Sequence, residues 1–132
     1  MELNDLKNVI PLNIGLLEEN KIAKLYKHGS SINHSFKFKE NENNYISVEV
    51  KSLDSLLSEL QIEKIDILKI DTEGSEVPIL KGAKETLKKN NQMKTVFVAS
   101  YHYPEQVREV TKLLNECRFS TKVDKNGIVS TA

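Results

Sequence analysis

The sequence predicts an α/β fold, a mostly parallel sheet with helices on both faces and a C-terminal antiparallel hairpin. Three observations predict it. Helical and strand-like hydrophobic periods alternate from Ser52 onward, which implies parallel strands joined by helical crossovers. Residues 65–70 and 95–100 are short, apolar and rich in β-branched side chains, as strands covered on both faces are. Lastly, Asn126-Gly127 lies between two short strand-like runs, a hairpin signal.

Taken in order, residues 9–12 form a short apolar run between Asn8 and Asn13 and read as a first strand. Residues 22–26 alternate as a second, and His28-Gly29-Ser30-Ser31 then reads as a turn. Phe36 and Phe38 alternate with lysines, and Ile46, Val48 and Val50 alternate with Ser47 and Glu49. With the polar stretch Glu40-Asn41-Glu42-Asn43-Asn44 between them, they predict a hairpin with one buried face. Leu53, Leu56, Leu57 and Leu60 then keep helical spacing behind Ser52 as N-cap.

Residues 65–70 follow as a central parallel strand. Val77, Leu80, Ala83 and Leu87 restore helical spacing, with Pro78 in a tolerant first turn and Gly82 marking a kink or a break between two short helices. After the strand 95–100, Pro104 opens a helix with Val107, Val110, Thr111 and Leu114 along one face. Residues 119–123 and 128–131 flank the closing turn, whose central Asn126 and Gly127 are both expected at positive φ.

At 132 residues the chain suits one domain, 1–132, able to bury roughly two-thirds of its unfolded surface. Its 39% hydrophobic and 29% charged residues are ordinary for a globular protein. The formal net charge is zero, and Arg108 and Arg118 are the only arginines, so no nucleic-acid footprint is present. No apolar run approaches the roughly 20 residues of a membrane span. Cys117 is the sole cysteine, which excludes an intramolecular disulfide and reads as a buried small hydrophobe. A cytoplasmic protein is expected.

Ligands of open α/β sheets bind beyond the carboxyl ends of the strands. Two polar clusters sit at such ends: Asp71-Thr72-Glu73-Gly74-Ser75-Glu76 and Ser100-Tyr101-His102-Tyr103. Gly74 allows a sharp turn from strand into helix. Glu76 suits a helix N-terminus, where the dipole favours a carboxylate. Asp71 stands at a strand tip, either capping the turn or meeting a ligand, and Glu73 is open to both readings. Lys69, inside an apolar strand, calls for a partner carboxylate, a snorkelling position or a ligand. His102 is the best single general-base candidate, since histidine ordinarily titrates near neutrality. Asp71, Glu73, Glu76 and His102 could in principle hold magnesium or calcium, but no spacing is diagnostic and no metal is assigned. Residues 67–71 resemble a nucleoside-triphosphatase strand, yet the matching phosphate loop is missing.

Leu53-Asp54-Ser55-Leu56, the run from Ile65 to Glu76, Leu80-Lys81-Gly82-Ala83 and Tyr101-His102-Tyr103-Pro104-Glu105 together resemble the FkbM family of methyltransferases. The turn Gly29-Ser30-Ser31-Ile32 and the hairpin leading to Val50 are similar too. The resemblance implies a partial class I methyltransferase fold, Rossmann-like, with S-adenosylmethionine as cofactor. It implies O-methyl transfer to a small-molecule or sugar hydroxyl, in which the enzyme mainly aligns the acceptor oxygen with the methyl group. By position, Asp71, Glu73 and His102 are the residues that hold or deprotonate the acceptor, unranked among themselves. Cofactor-binding residues are not assigned.

The family's opening strand, glycine-rich loop and ribose-binding acid have no counterpart here; Gly15 and Gly29 are isolated. The chain is expected to start near the third family strand, to bind the cofactor weakly alone, and to end at its hairpin. It is therefore expected to be a fragment, a truncated product or part of a split enzyme, and to associate as a homo-oligomer through the strand edge left unpaired. The rival reading is a non-catalytic remnant serving as a binding or oligomerisation module.

Overall fold

The computed structural model describes residues 6–29, 34–39, 41–89 and 93–131. Its elements run β1 (Gly15–Leu16), β2 (Lys21–Tyr26), β3 (Tyr45–Lys51), α1 (Leu53–Glu59), β4 (Ile67–Ile70), α2 (Glu76–Lys81), α3 (Lys84–Lys89), β5 (Thr95–Ala99), α4 (Gln106–Glu116), β6 (Thr121–Val123) and β7 (Ile128–Thr131). They build two sheets, in strand orders β1-β3-β2 and β4-β5-β7-β6.

Parallel pairing is less dominant than the sequence suggests. Among the described residues, β1 with β3 and β4 with β5 run parallel, whereas β2 with β3, β5 with β7 and β6 with β7 run antiparallel. The sheets are mixed because hairpin-type connections join β2 to β3 and β6 to β7. Among the described residues, the helices do not cover both faces of the larger sheet. Buried residues of α1, α2, α3 and α4 join Ile70, Val96, Val98 and Val129 in one core. The opposite face of the larger sheet carries Ile67, Lys69 and Phe97, all exposed. β4 is thus an edge strand rather than a central one, and Ile67 is 60% exposed.

The N-terminal elements also differ. Residues 9–12 are not a strand: Pro11 cannot donate to a ladder, and Ile10 is exposed. The parallel partner of β3 is instead Gly15–Leu16, in register Gly15 with Val50. β3 pairs not with the Phe36–Phe38 segment but with β2, Lys21 opposite Val50 and Tyr26 opposite Tyr45. The reason is local. Ser35 forms one bridge to Tyr26, and its Oγ then accepts from the amides of Lys37 and Phe38 at 3.1 Å each, which turns the chain off the ladder. Phe36 and Phe38 instead fill the space beside the bare Cα atoms of Gly15 and Gly74. Ser30, Ser31, Ile32 and Glu40, assigned to turns from sequence, lie outside the described residues.

Elsewhere the pattern and the fold agree. Ser52 caps α1 by accepting from the Ser55 amide at 3.1 Å. The chain breaks between α2 and α3 at Gly82, and Pro78 sits in the first turn of α2. From α1, Asp54 accepts from the Glu85 and Thr86 amides at 3.0 and 2.8 Å, capping α3 across the fold. Cys117 is buried, and burial pushes its thiol pKa up. The closing hairpin forms as expected, but of its turn residues only Gly127 has positive φ. Asp124 Oδ1 accepts from the Asn126 and Ile128 amides at 2.8 and 2.9 Å. That side-chain bonding holds a longer turn in which Asn126 need not turn left-handed.

Candidate acceptor site

β4 and β5 are parallel neighbours, with Ile70 paired to Val98, so the segments that follow them open at the same sheet edge. After β4 the chain passes through two left-handed residues, Glu73 at φ 50° and Gly74 at φ 98°. Gly74 needs both its conformation and its missing side chain, since a Cβ there would lie 2.5 Å from the Phe38 ring. Glu73 adopts the same region at an energetic cost. Its carbonyl is held by the Ser35 hydroxyl at 2.7 Å.

Ser75 makes no side-chain cap on α2; Glu76 organises the turn instead. It is fully buried, and its Oε1 accepts from the Thr72 amide at 2.8 Å, the Thr72 hydroxyl at 3.1 Å and the Gly74 amide at 3.4 Å. Its Oε2 accepts from the side-chain amide of Gln106, at the start of α4. Gln106 Oε1 in turn accepts from the His102 backbone amide at 2.9 Å. One carboxylate and one amide therefore tie the loop after β4 to the loop after β5.

These ties bring the three sequence-assigned residues together. Asp71, Glu73 and His102 each offer a donor atom within 4.8 Å of the others. The His102 side chain is 6% exposed, with Nδ1 3.6 Å from Glu73 Oε2 and Nε2 3.3 Å from Glu76 Oε1. Asp71 and Glu73 are more open, at 40% and 37%. Tyr101 donates to Asp71 Oδ1 at 3.4 Å, and the Asp71 carboxylate beside it holds its phenol above the usual tyrosine range. Lys69 finds the partner carboxylate its position called for, 3.7 Å from Asp71 Oδ2. Glu76 belongs to the structural reading, and among the described residues Asp71 bonds to Tyr101 and pairs with Lys69 rather than capping the turn.

A cavity of about 390 Å³ adjoins this group, lined by Asp71, Thr72, Glu73, His34, Phe36 and Leu25 among others. His34, given no role from sequence, reaches it from the β2–β3 connection. Ser35 and Gln106 were also missed. Ser35 lies 38 residues from Glu73 and carries no local signal. Gln106 had one: it precedes Val110 and Leu114 by four and eight residues, on the buried face of α4. A polar residue in line with a buried stripe demands a buried partner.

Comparison with known proteins agrees with this architecture. A hexuronic acid methyltransferase, AglP, from Haloferax volcanii is 28% identical over 117 residues, which cover 89% of this chain and 46% of that protein. The chain thus spans about half the length of this curated relative. The crystal structure of a methyltransferase FkbM from Methylobacillus flagellatus KT superposes with a TM-score of 0.60 at 14% identity, over 90% of this chain and 27% of that one. That likeness is one of fold. The methyltransferase FkbM domain matches residues 5–121. On that match the chain belongs to the FkbM methyltransferase family.

Proposed function

We propose that this chain forms the acceptor side of an S-adenosylmethionine-dependent O-methyltransferase, with Asp71, Glu73 and His102 holding the acceptor oxygen. The observation that carries the reading is their convergence beyond the ends of β4 and β5, beside a cavity of small-molecule size. An acceptor hydroxyl in contact with the group donates to a carboxylate oxygen or to the imidazole. Transfer of its proton to that base contributes a factor of roughly 10² to 10⁴. A sugar or sugar acid is the acceptor class, supported by the likeness to a hexuronic acid methyltransferase. A buried lone thiol and no membrane-crossing helix among the described residues suit a cytoplasmic setting.

S-adenosylmethionine would supply an electrophilic methyl group. The residues at this cavity do not fit it unaided. The amides of Thr72 and Gly74, in the loop after β4, are already taken by Glu76, so these two are not free to cradle an anionic cofactor group. Cofactor contacts are assigned to residues outside this group, and the chain's own part is binding and orienting the acceptor.

Calorimetric titration with a hexuronic acid tests the reading. Binding is expected, weakened at least about tenfold by Asp71→Asn or His102→Gln, one lost charged hydrogen bond being worth about 1.5–3 kcal/mol. Binding equally strong in both variants would remove the site.

A further inference from the structure

We propose that His34 and Ser75 are the residues by which the cavity tells a sugar acid from a neutral sugar, each donating a hydrogen bond to the acceptor's carboxylate. The proposal rests on the acceptor reading above and names what the rest of that cavity recognises. Among the described residues, six side chains able to hydrogen-bond line the cavity of about 390 Å³: His34, Lys69, Asp71, Thr72, Glu73 and Ser75. Two are carboxylates, which accept only and so meet the acceptor's hydroxyls. Two of the donors are already committed. The Thr72 hydroxyl bonds to Glu76 Oε1 at 3.1 Å, and Lys69 Nζ lies 3.7 Å from Asp71 Oδ2. His34 and Ser75 remain.

Each is left available by a separate observation. The His28 amide donates to His34 Nδ1 at 3.3 Å, so in the neutral ring the proton sits on Nε2, which has no hydrogen-bond partner among the described residues. The His28 ring is itself held, its Nε2 lying 3.0 Å from the Phe38 carbonyl, which steadies the segment that carries His34. Ser75 is only 2% exposed. Its hydroxyl does not cap α2, and it makes no side-chain hydrogen bond among the described residues. A hydroxyl so deeply buried and left unbonded calls for a partner, and the cavity it lines is where one can enter. Against Asp71 and Glu73 a ligand carboxylate is repelled, so it turns to the two donors while the hydroxyls turn to the two acids. A carboxylate offers one oxygen to each donor, and a charged acceptor bonds more strongly than a neutral one. A neutral sugar brings a single hydroxyl oxygen in its place and leaves one donor unpaired, a mismatch that polar sites reject strongly.

Calorimetric titration of the chain with glucuronate and galacturonate, each beside its neutral counterpart glucose or galactose, tests this. One of the acids should bind at least about tenfold more tightly than its neutral sugar, or bind where the neutral sugar does not. Ser75→Ala removes a hydroxyl that bonds nothing in the chain, so it should keep the fold, checked by its urea midpoint, and weaken the acid at least about tenfold. His34→Asn keeps an oxygen for the His28 amide but removes the Nε2 donor, and should weaken the acid as much. His34→Gln sets an amide nitrogen near the Nε2 position and should bind the acid more tightly than His34→Asn does. Affinity for the neutral sugars, where measurable, should stay as it is. Acid and neutral sugars bound equally by the parent, or weakened equally by the variants, overturn the proposal. A loss confined to one of Ser75→Ala and His34→Asn overturns the pairing. An acid bound as tightly by both variants as by the parent, yet dependent on Asp71, overturns the proposal and leaves the acceptor reading standing. No binding of any of these sugars at about 10 mM removes the acceptor reading and the proposal with it.

Discussion

Gln106 donates its side-chain amide to the buried carboxylate of Glu76, thirty residues earlier in the chain. Glu76 Oε1 also lies 3.3 Å from His102 Nε2, and Gln106 Oε1 accepts from the His102 amide at 2.9 Å, so together the pair ties the loop that carries Asp71 and Glu73 to His102. Gln106→Ala leaves Glu76 Oε2 and the His102 amide without partners. It should destabilise the chain by about 2–4 kcal/mol, read as a lower urea midpoint, since each buried polar group left unpaired costs about 1–3 kcal/mol. A midpoint within error of the parent would show that the tie carries no stability.

Tyr103 offers a test at alkaline pH. Its hydroxyl donates to Glu109 Oε2 at 2.7 Å, and burial, followed by the Glu109 bond and charge, pushes its pKa above the ordinary 10.0. A phenol raised on folding contributes stability that is present below its unfolded pKa and lost as pH rises through the folded one. Stability should therefore decline from about pH 10 upward, and less steeply in Tyr103→Phe. Tyrosinate absorbance should lose one late-ionising phenol in this variant, that of Tyr101 remaining. An unchanged titration in Tyr103→Phe would contradict the assignment.

The cofactor expectation is quantitative. With the Thr72 and Gly74 amides committed to Glu76, the chain alone should bind S-adenosylmethionine weakly or not at all. A dissociation constant of a few micromolar, about −7 to −8 kcal/mol, would mean that these residues hold the cofactor after all.

Association follows from the uncovered face of the larger sheet. β4 is its edge strand, and Ile67 and Phe97 are 60% and 42% exposed beside it. An apolar edge of this kind is a template for pairing, so a dimer is expected at tens of micromolar, reverting to monomer in Ile67→Lys. A strictly monomeric mass by light scattering would show that the edge is left unpaired in solution.

How much of this was legible depends on the range of the contacts. The helix behind Ser52, the break at Gly82 and the hairpin around Gly127 are governed by neighbours in sequence, and period and turn chemistry reveal them. That Asp71, Glu73 and His102 come together was legible because two buried-type strands in succession predict parallel neighbours whose following loops open at one edge. The N-terminal pairing was not. Lys21–Tyr26 and the Phe36–Phe38 segment alternate equally well, and the bonds by which Ser35 Oγ turns the chain off the ladder leave no mark in a hydrophobic pattern. Coverage of the larger sheet was misread for a related reason: an apolar strand looks the same whether its second face meets a helix or is open.

The central claim, that Asp71, Glu73 and His102 form the acceptor site, is tested most directly by the histidine rings themselves. Long-range proton–nitrogen spectra resolve the imidazoles of His28, His34 and His102 during titration with a hexuronic acid. The account predicts saturable shifts of the His102 ring, with His34 following from the cavity wall. His28, whose Nε2 lies 3.0 Å from the Phe38 carbonyl, should stay in place. A His102 ring unmoved at saturating ligand would contradict the account.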